Sequence, residues 1–128
     1  MNRKKIMLVM TPTAYRDELI MQMGYEGFEL IIVSEGQEAL KKLKTNSLDG
    51  IVTQLALPQY DGLELILNIR DLHITIPIIV VSFGKSKLQN EVIKAGASVF
   101  LHNPVAPSVL IDLIKRSAKI AKLNCESI

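Results

Sequence analysis

Tryptophan is missing from the chain, and the few aromatic residues are three Phe and three Tyr. Large rings therefore cannot dominate the interior. A core must come from Ile, Leu, Val, Met and Ala, which a 48% hydrophobic composition can supply. Cysteine occurs once, as Cys125 near the C-terminus, which excludes an internal disulfide and fits a reducing compartment. Cys125 is not taken as a reactive thiol. Neither sign of charge is in excess: 15 Lys and Arg face 13 Asp and Glu, a formal net charge of +2. That balance is too small to argue for nucleic acid or an anionic membrane. No apolar run approaches the roughly 18 residues of a membrane helix. The run behind Arg3-Lys4-Lys5 is only Ile6 to Met10 before Thr11-Pro12 stops it, too short for a signal-peptide core. It reads as a first strand, and a cytoplasmic location is expected.

What is present is alternation over 128 residues, a length that suits one domain. Short β-rich runs at Ile6–Met10, Phe28–Val33, Ile51–Leu55, Ile78–Ser82 and Ser98–Leu101 are separated by segments with helical spacing. The first helix runs from Thr13, its N-cap, to Met23, with Leu19, Ile20 and Met23 on one face and Gly24 as its stop. Ser34-Glu35-Gly36-Gln37 has the form of a capping box before Ala39, Leu40 and Leu43. Asp61 caps a helix reaching about Arg70, with Leu63, Ile66 and Leu67 inward. Ser86 to Ala95 places Leu88 and Val92 inward and ends at Gly96. Pro107 suits the first turn of a last helix that buries Leu110, Leu113, Ile114 and Ala121 and shows Asp112, Lys115, Arg116, Lys119 and Lys122 to solvent. Residues 1–123 read as one domain and 124–128 as a tail. Five strands alternating with helices argue for a parallel sheet covered on both faces. Such a sheet works at the carboxyl ends of its strands. These ends are Met10-Thr11, Gln54, Ser82 and Asn103.

Three stretches carry a family resemblance: "LALPQYDGLEL" after the third strand, "IPIIVVS" at the fourth, and "AGASVFLHNP" around the fifth. In this order and spacing the chain resembles the receiver domain of bacterial response regulators, CheY-like proteins, over about residues 4–122. The resemblance implies a single doubly wound (βα)5 domain of flavodoxin-like type, with a five-stranded parallel sheet in the order 2-1-3-4-5. It also implies phosphoryl transfer to an Asp on the third strand, an acidic pair holding Mg²⁺, a Lys contacting the phosphoryl group, a closing Thr or Ser, and a responsive aromatic residue.

The chain departs from that pattern at nearly every charged position. The acidic pair falls on Met10 and Thr11, the acceptor on Gln54 and the Lys on Asn103; only Ser82 and Phe100 match. An amide oxygen is a poor nucleophile and cannot yield an acyl phosphate. Mg²⁺ is not expected, because a Mg²⁺ site takes one or two carboxylates. Asp17 and Glu18 lie about two turns into the first helix and face solvent. The resulting expectation is a pseudo-receiver. It is a degenerate member whose pocket is closed by hydrogen bonds among Thr11, Gln54, Ser82 and Asn103. It is not an enzyme, and it signals within a two-component phosphorelay system by protein–protein interaction.

Two alternatives stand beside it. One is a phosphoaccepting regulator with a displaced acceptor such as Asp61 or Ser82. The other is a nucleotide or flavin binder at the strand ends, using the Thr11-Pro12-Thr13 loop. Ser82 either hydrogen-bonds Gln54 as a residual switch or simply packs. Phe100 is either a rotamer switch or plain core. His73 and His102 read as solvent-facing loop residues. The partner or homodimer surface expected from the resemblance spans about Ser86 to Lys122, with Leu88, Val99, Lys115, Arg116 and Lys119. Leu57, Gln59 and Tyr60 form a second exposed apolar patch.

Overall fold

The apolar runs form strands β1 (Lys5–Val9), β2 (Glu29–Val33), β3 (Gly50–Gln54), β4 (Ile78–Val81) and β5 (Val99–Leu101) in the computed structural model. It describes all residues but Met1, Asn2, Lys85, Asn103, Ser127 and Ile128, with side chains as far as Ser117. The helices are α1 (Ala14–Tyr25), α2 (Gly36–Leu43), α3 (Gly62–Asp71), α4 (Gln89–Ala95) and α5 (Pro107–Glu126). Every strand pairs in parallel, in the order β2-β1-β3-β4-β5, as expected for the doubly wound (βα)5 domain. The chain leaves β1 toward β2 on one side and returns to β3 on the other. The loops after β1 and β3 therefore diverge, and a crevice opens between them.

Successive strand residues point to opposite faces, and both faces are covered, so the strands carry no polar alternation. Met7, Val9, Ile51, Ile78 and Val80 pack with Ala39, Leu65, Ile66, Ile69 and Phe100 beneath α2, α3 and α4. Ile6, Leu8, Met10, Val52, Ile79 and Val81 pack with Leu19, Met23, Leu110, Ile111 and Ile114 beneath α1 and α5. Each fully buried Leu or Ile side chain is worth about 1.5–3 kcal/mol relative to exposure.

Several helix ends follow local chemistry. Thr13 caps α1 by accepting from the Arg16 amide at 3.1 Å, and Asp61 caps α3 by accepting from the Glu64 amide at 2.8 Å. Pro107 opens α5. Other expectations are corrected. Gly24 does not end α1: the helix continues to Tyr25, and Gly27, at φ 88°, makes the left-handed turn. Ser34 is not the α2 cap. Glu35 holds that position without a side-chain bond, while the Ser34 hydroxyl accepts from Arg16 at 3.4 Å. Leu67 is 48% exposed, because the Asp61 cap sets α3 so that Leu65, Ile66 and Ile69 face the sheet. Leu88 is exposed at the start of a shorter α4, which buries Val92 alone. In α5, Leu110, Ile111 and Ile114 are buried and Leu113 is partly so. The side chains of Ala121 and Lys122 fall outside the described ones; of the expected tail at 124–128, residues 124–126 continue α5 and the last two lie outside the described residues.

Candidate functional site

The site begins at the carboxyl end of β3. Gln54 is its last residue and is buried. Its Oε1 accepts from the Thr11 amide at 2.9 Å and from the Thr11 hydroxyl at 3.2 Å, across the crevice. Its Nε2 donates to the Ala56 carbonyl. One amide thus ties the β1–α1 loop to the β3–α3 loop. Only a group with both an acceptor and a donor can do this, and the opposite ends of the amide fix its orientation. The turn after β3 closes tightly: the Gly62 amide donates to Leu55 O at 2.6 Å, and a Cβ on Gly62 would fall 2.9 Å from the Gln54 carbonyl oxygen. Asp61-Gly62 is therefore a packing requirement as well as a cap.

The other strand-end residues behave differently from one another. Ser82 is buried, but its hydroxyl donates to Gly84 O at 2.9 Å, within its own loop, and not to Gln54. The expected four-membered network thus reduces to Thr11 and Gln54, with Asn103 outside the described residues. Met10, expected at the acidic-pair position, has its side chain buried in the core beneath α1 and α5. Phe100 is buried in the opposite core cluster, with its ring edge-on to His102 at 5.0 Å. His102 itself is exposed and bonds Gln89 Oε1 at 2.7 Å. His73 is exposed at φ 60° in the loop before β4.

These groups do not suit Mg²⁺. Among the described residues the crevice offers no carboxylate, and the Gln54 oxygen already accepts two hydrogen bonds. Among the described residues, no three His, Cys, Asp or Glu gather where they could hold a metal ion. Asp17 and Glu18 are exposed on α1, and Asp17 is in the first turn rather than two turns in. Asp61 Oδ1 is engaged in capping α3. The Arg16 guanidinium sits at the end of β1, donating to Met10 O at 3.2 Å, with its Nε buried and unpartnered. Nor is the Thr11-Pro12-Thr13 loop free to hold a phosphate: the Thr11 amide is bound to Gln54 and the Thr13 hydroxyl to the α1 end.

The expected surface residues fare unevenly. Leu57 is buried, and the partly buried Tyr60 lies so close over Gly36 that a Cβ there would collide with its ring. Asn68 donates to the Tyr60 hydroxyl. Only the exposed Gln59, at φ 60°, remains of that apolar patch. Val99 is partly buried against the α1/α5 core. Lys115 pairs with Glu26 and Arg116 with Asp112, each at 3.0 Å, while the Lys119 side chain is outside the described ones. Exposed pairs of this kind add little stability.

Three residues that sequence reasoning passed over act near the site or beneath it. Tyr15 donates to Val105 O at 2.7 Å and meets Phe83 edge-on, at 5.8 Å between centroids. Burial raises the Tyr15 pKa, with Glu18 adding to the effect. Arg70 holds the carbonyls of Gly96, Ile74 and Ile76, and burial lowers its pKa. No local signal marks these partners, which are up to 90 residues away.

A family model for the "Response regulator receiver domain" matches residues 6–115. The chain is 32% identical over 106 residues to the transcriptional regulatory protein FixJ of Rhizobium meliloti, covering 81% of this chain and 52% of that protein. It is 28% identical over 127 residues to the alkaline phosphatase synthesis transcriptional regulatory protein PhoP of Bacillus subtilis, covering 96% and 53%. The chain therefore spans about half the length of these relatives. Among solved structures, a CheY-like receiver domain protein from Methanospirillum hungatei superposes with a TM-score of 0.88 at 26% identity, over 96% of this chain and 99% of that one. FixJ-N superposes at 0.81 with 28% identity, over 93% and 96%. No helix among the described residues is long and apolar enough to cross a membrane.

Proposed function

The chain belongs to the response regulator receiver domain family, and on that premise we propose that it is a pseudo-receiver, signalling in a two-component system without accepting phosphate. The observation that carries this reading is the Gln54 amide, bonded to Thr11 on one side and Ala56 on the other at the acceptor position. Phosphoryl transfer needs a nucleophile, plus cationic groups to offset charge on the transferred oxygens. Gln54 is not such a nucleophile. Thr11 brings no charge for a metal, and Ser82 is turned into its own loop. Among the described residues, Thr11 and Gln54 bond each other and Ser82 bonds its own loop, so these groups are not left free for a small ligand.

Its work is then recognition of a protein partner, or of a second copy, through the region from Ser86 to Lys122. Leu88, exposed at the start of α4, and the cations Lys115, Arg116 and Lys119 on α5 are the contact residues proposed. A bacterial, cytoplasmic setting fits this role. The partner would read a conformation set by binding rather than by phosphorylation.

The test is an amide NMR fingerprint with and without Mg²⁺ plus beryllofluoride, a mimic of the aspartyl phosphate. The expected result is no saturable shift at Thr11, Gln54 or Ser82. Saturable shifts there, or around Asp61, would restore phosphoryl chemistry and the displaced-acceptor reading.

A further inference from the structure

Beside the strand-end cleft, the loops after β4 and β5 both meet the start of α1. One side chain joins them. Tyr15, in the first turn of α1, donates its hydroxyl to Val105 O in the β5–α5 loop at 2.7 Å. The same ring meets Phe83 of the β4–α4 loop edge-on, with centroids 5.8 Å apart and planes at 82°. Phe83 is 49% exposed and stands outside both core clusters. The His102–Gln89 bond ties the β5–α5 loop to the start of α4, but neither it nor the two strand-end residues reach Phe83. Ser82 bonds within its own loop, and Phe100 is packed in the core.

We propose that Tyr15 is a latch that holds the β4–α4 and β5–α5 loops in one arrangement, so that the partner-facing side of the molecule is set without any event at Gln54. The latch rests on the phosphate-independent reading, because a receiver that closed over a phosphoryl group would set these loops from the cleft. A hydroxyl–carbonyl bond and an edge-on ring pair together favour the closed arrangement by on the order of tenfold or more. The loops it holds flank Leu88 on one side and the start of α5 on the other. A partner docking there would meet a preformed surface and would not have to order it.

The experiment is amide hydrogen exchange on the full chain, comparing wild type with Tyr15→Phe and Phe83→Ala. The reporters are the bonded amides of Ser82, Leu88 and Val109, set against Leu8 and Val52 in the central strands. Tyr15→Phe keeps the ring and removes only the hydroxyl. It should speed exchange at Val109, beside the released loop, by about fivefold and leave the central strands unchanged. Phe83→Ala should speed Ser82 and Leu88 more than Val109. Exchange unchanged at all three reporters, or raised equally in loops and strands, would overturn the latch. Beryllofluoride shifts in the wild type would instead sink the phosphate-independent reading, whatever the loop reporters show.

Discussion

At the scale of single residues, the proposed reading turns on the amide of Gln54, at the position where the resemblance implies an acid. Gln54 works because it accepts on one side and donates on the other. Gln54→Ala leaves the Thr11 amide and the Ala56 carbonyl without their partner and should cost about 1–3 kcal/mol in urea unfolding. Gln54→Asp keeps an acceptor for Thr11 but loses the donor for Ala56. It should be less stable than wild type and still give no hydroxylamine-labile label from a small phosphodonor with Mg²⁺. A label on that single variant would show that the remaining neutral groups suffice for transfer. Tyr15 offers a separate check. Burial raises its folded pKa, so the folded state holds the phenol proton more tightly than the unfolded chain. The resulting stability is present below the unfolded tyrosine pKa and is lost as the pH rises through the folded one. Tyr15→Phe should therefore flatten the alkaline fall of stability measured by chemical denaturation. An unchanged alkaline limb would show that the phenol ionises equally in both states.

At the scale of elements, α4 is the least self-sufficient piece. It has seven residues, no side-chain N-cap bond and one buried residue. Its C-terminus is held from outside: Arg70, in the last turn of α3, binds Gly96 O through Nε and one terminal nitrogen, and Ile74 O and Ile76 O through the other. A Cβ on Gly96 would lie 2.7 Å from Arg70 atoms, and Gly96 has φ 125°, so this junction requires glycine twice over. Arg70→Ala should cost about 2–3 kcal/mol, with exchange rising first in α4, and Arg70→Lys should recover only part of the loss because it lacks the planar fork. Equal stability of all three proteins would show that water serves the three carbonyls as well. The same elements show what was readable in advance. Thr13, Asp61 and Pro107 were legible because a cap acts on amides a few residues along the same chain. The phase of α3 was legible only in part: Glu64, Asn68 and Asp71 mark a polar face that takes in Leu67, and five closely spaced apolar residues drew the inward face too wide. The fate of Ser34 depended on Arg16, and that of Tyr60 on Gly36 and Asn68, contacts that exist only once the sheet has formed. In the cleft, the loss of charge was visible from residue types alone. The pairing of Gln54 with Thr11 rather than Ser82 required the register that sets β1 beside β3.

At the scale of the whole molecule, the proposed reading separates backbone from chemistry. A TM-score of 0.88 at 26% identity means that the scaffold positioning the strand ends is shared with a solved receiver domain, and on the proposed reading only the groups on it have changed. If so, the capacity to hold a metal should return when charge is put back at the crevice. Thr11 and Gln54 already touch across it, at 2.9 Å from amide to side-chain oxygen. Thr11→Asp with Gln54→Asp would place two carboxylates there. Without metal they should repel, making the double variant less stable than the two single variants imply by addition. Mg²⁺ should reverse this, since an ion that binds only the folded state adds about 1.4 kcal/mol at ten times its Kd. The measurement is thermal unfolding of wild type, both single variants and the double variant across a Mg²⁺ series at constant ionic strength. Mg²⁺ stabilisation confined to the double variant would show that metal binding at this crevice depends on these two side chains alone. An equal response in the wild type would reveal donors other than these two, and no response in the double variant would mean that the loops after β1 and β3 no longer stand at metal-binding distance.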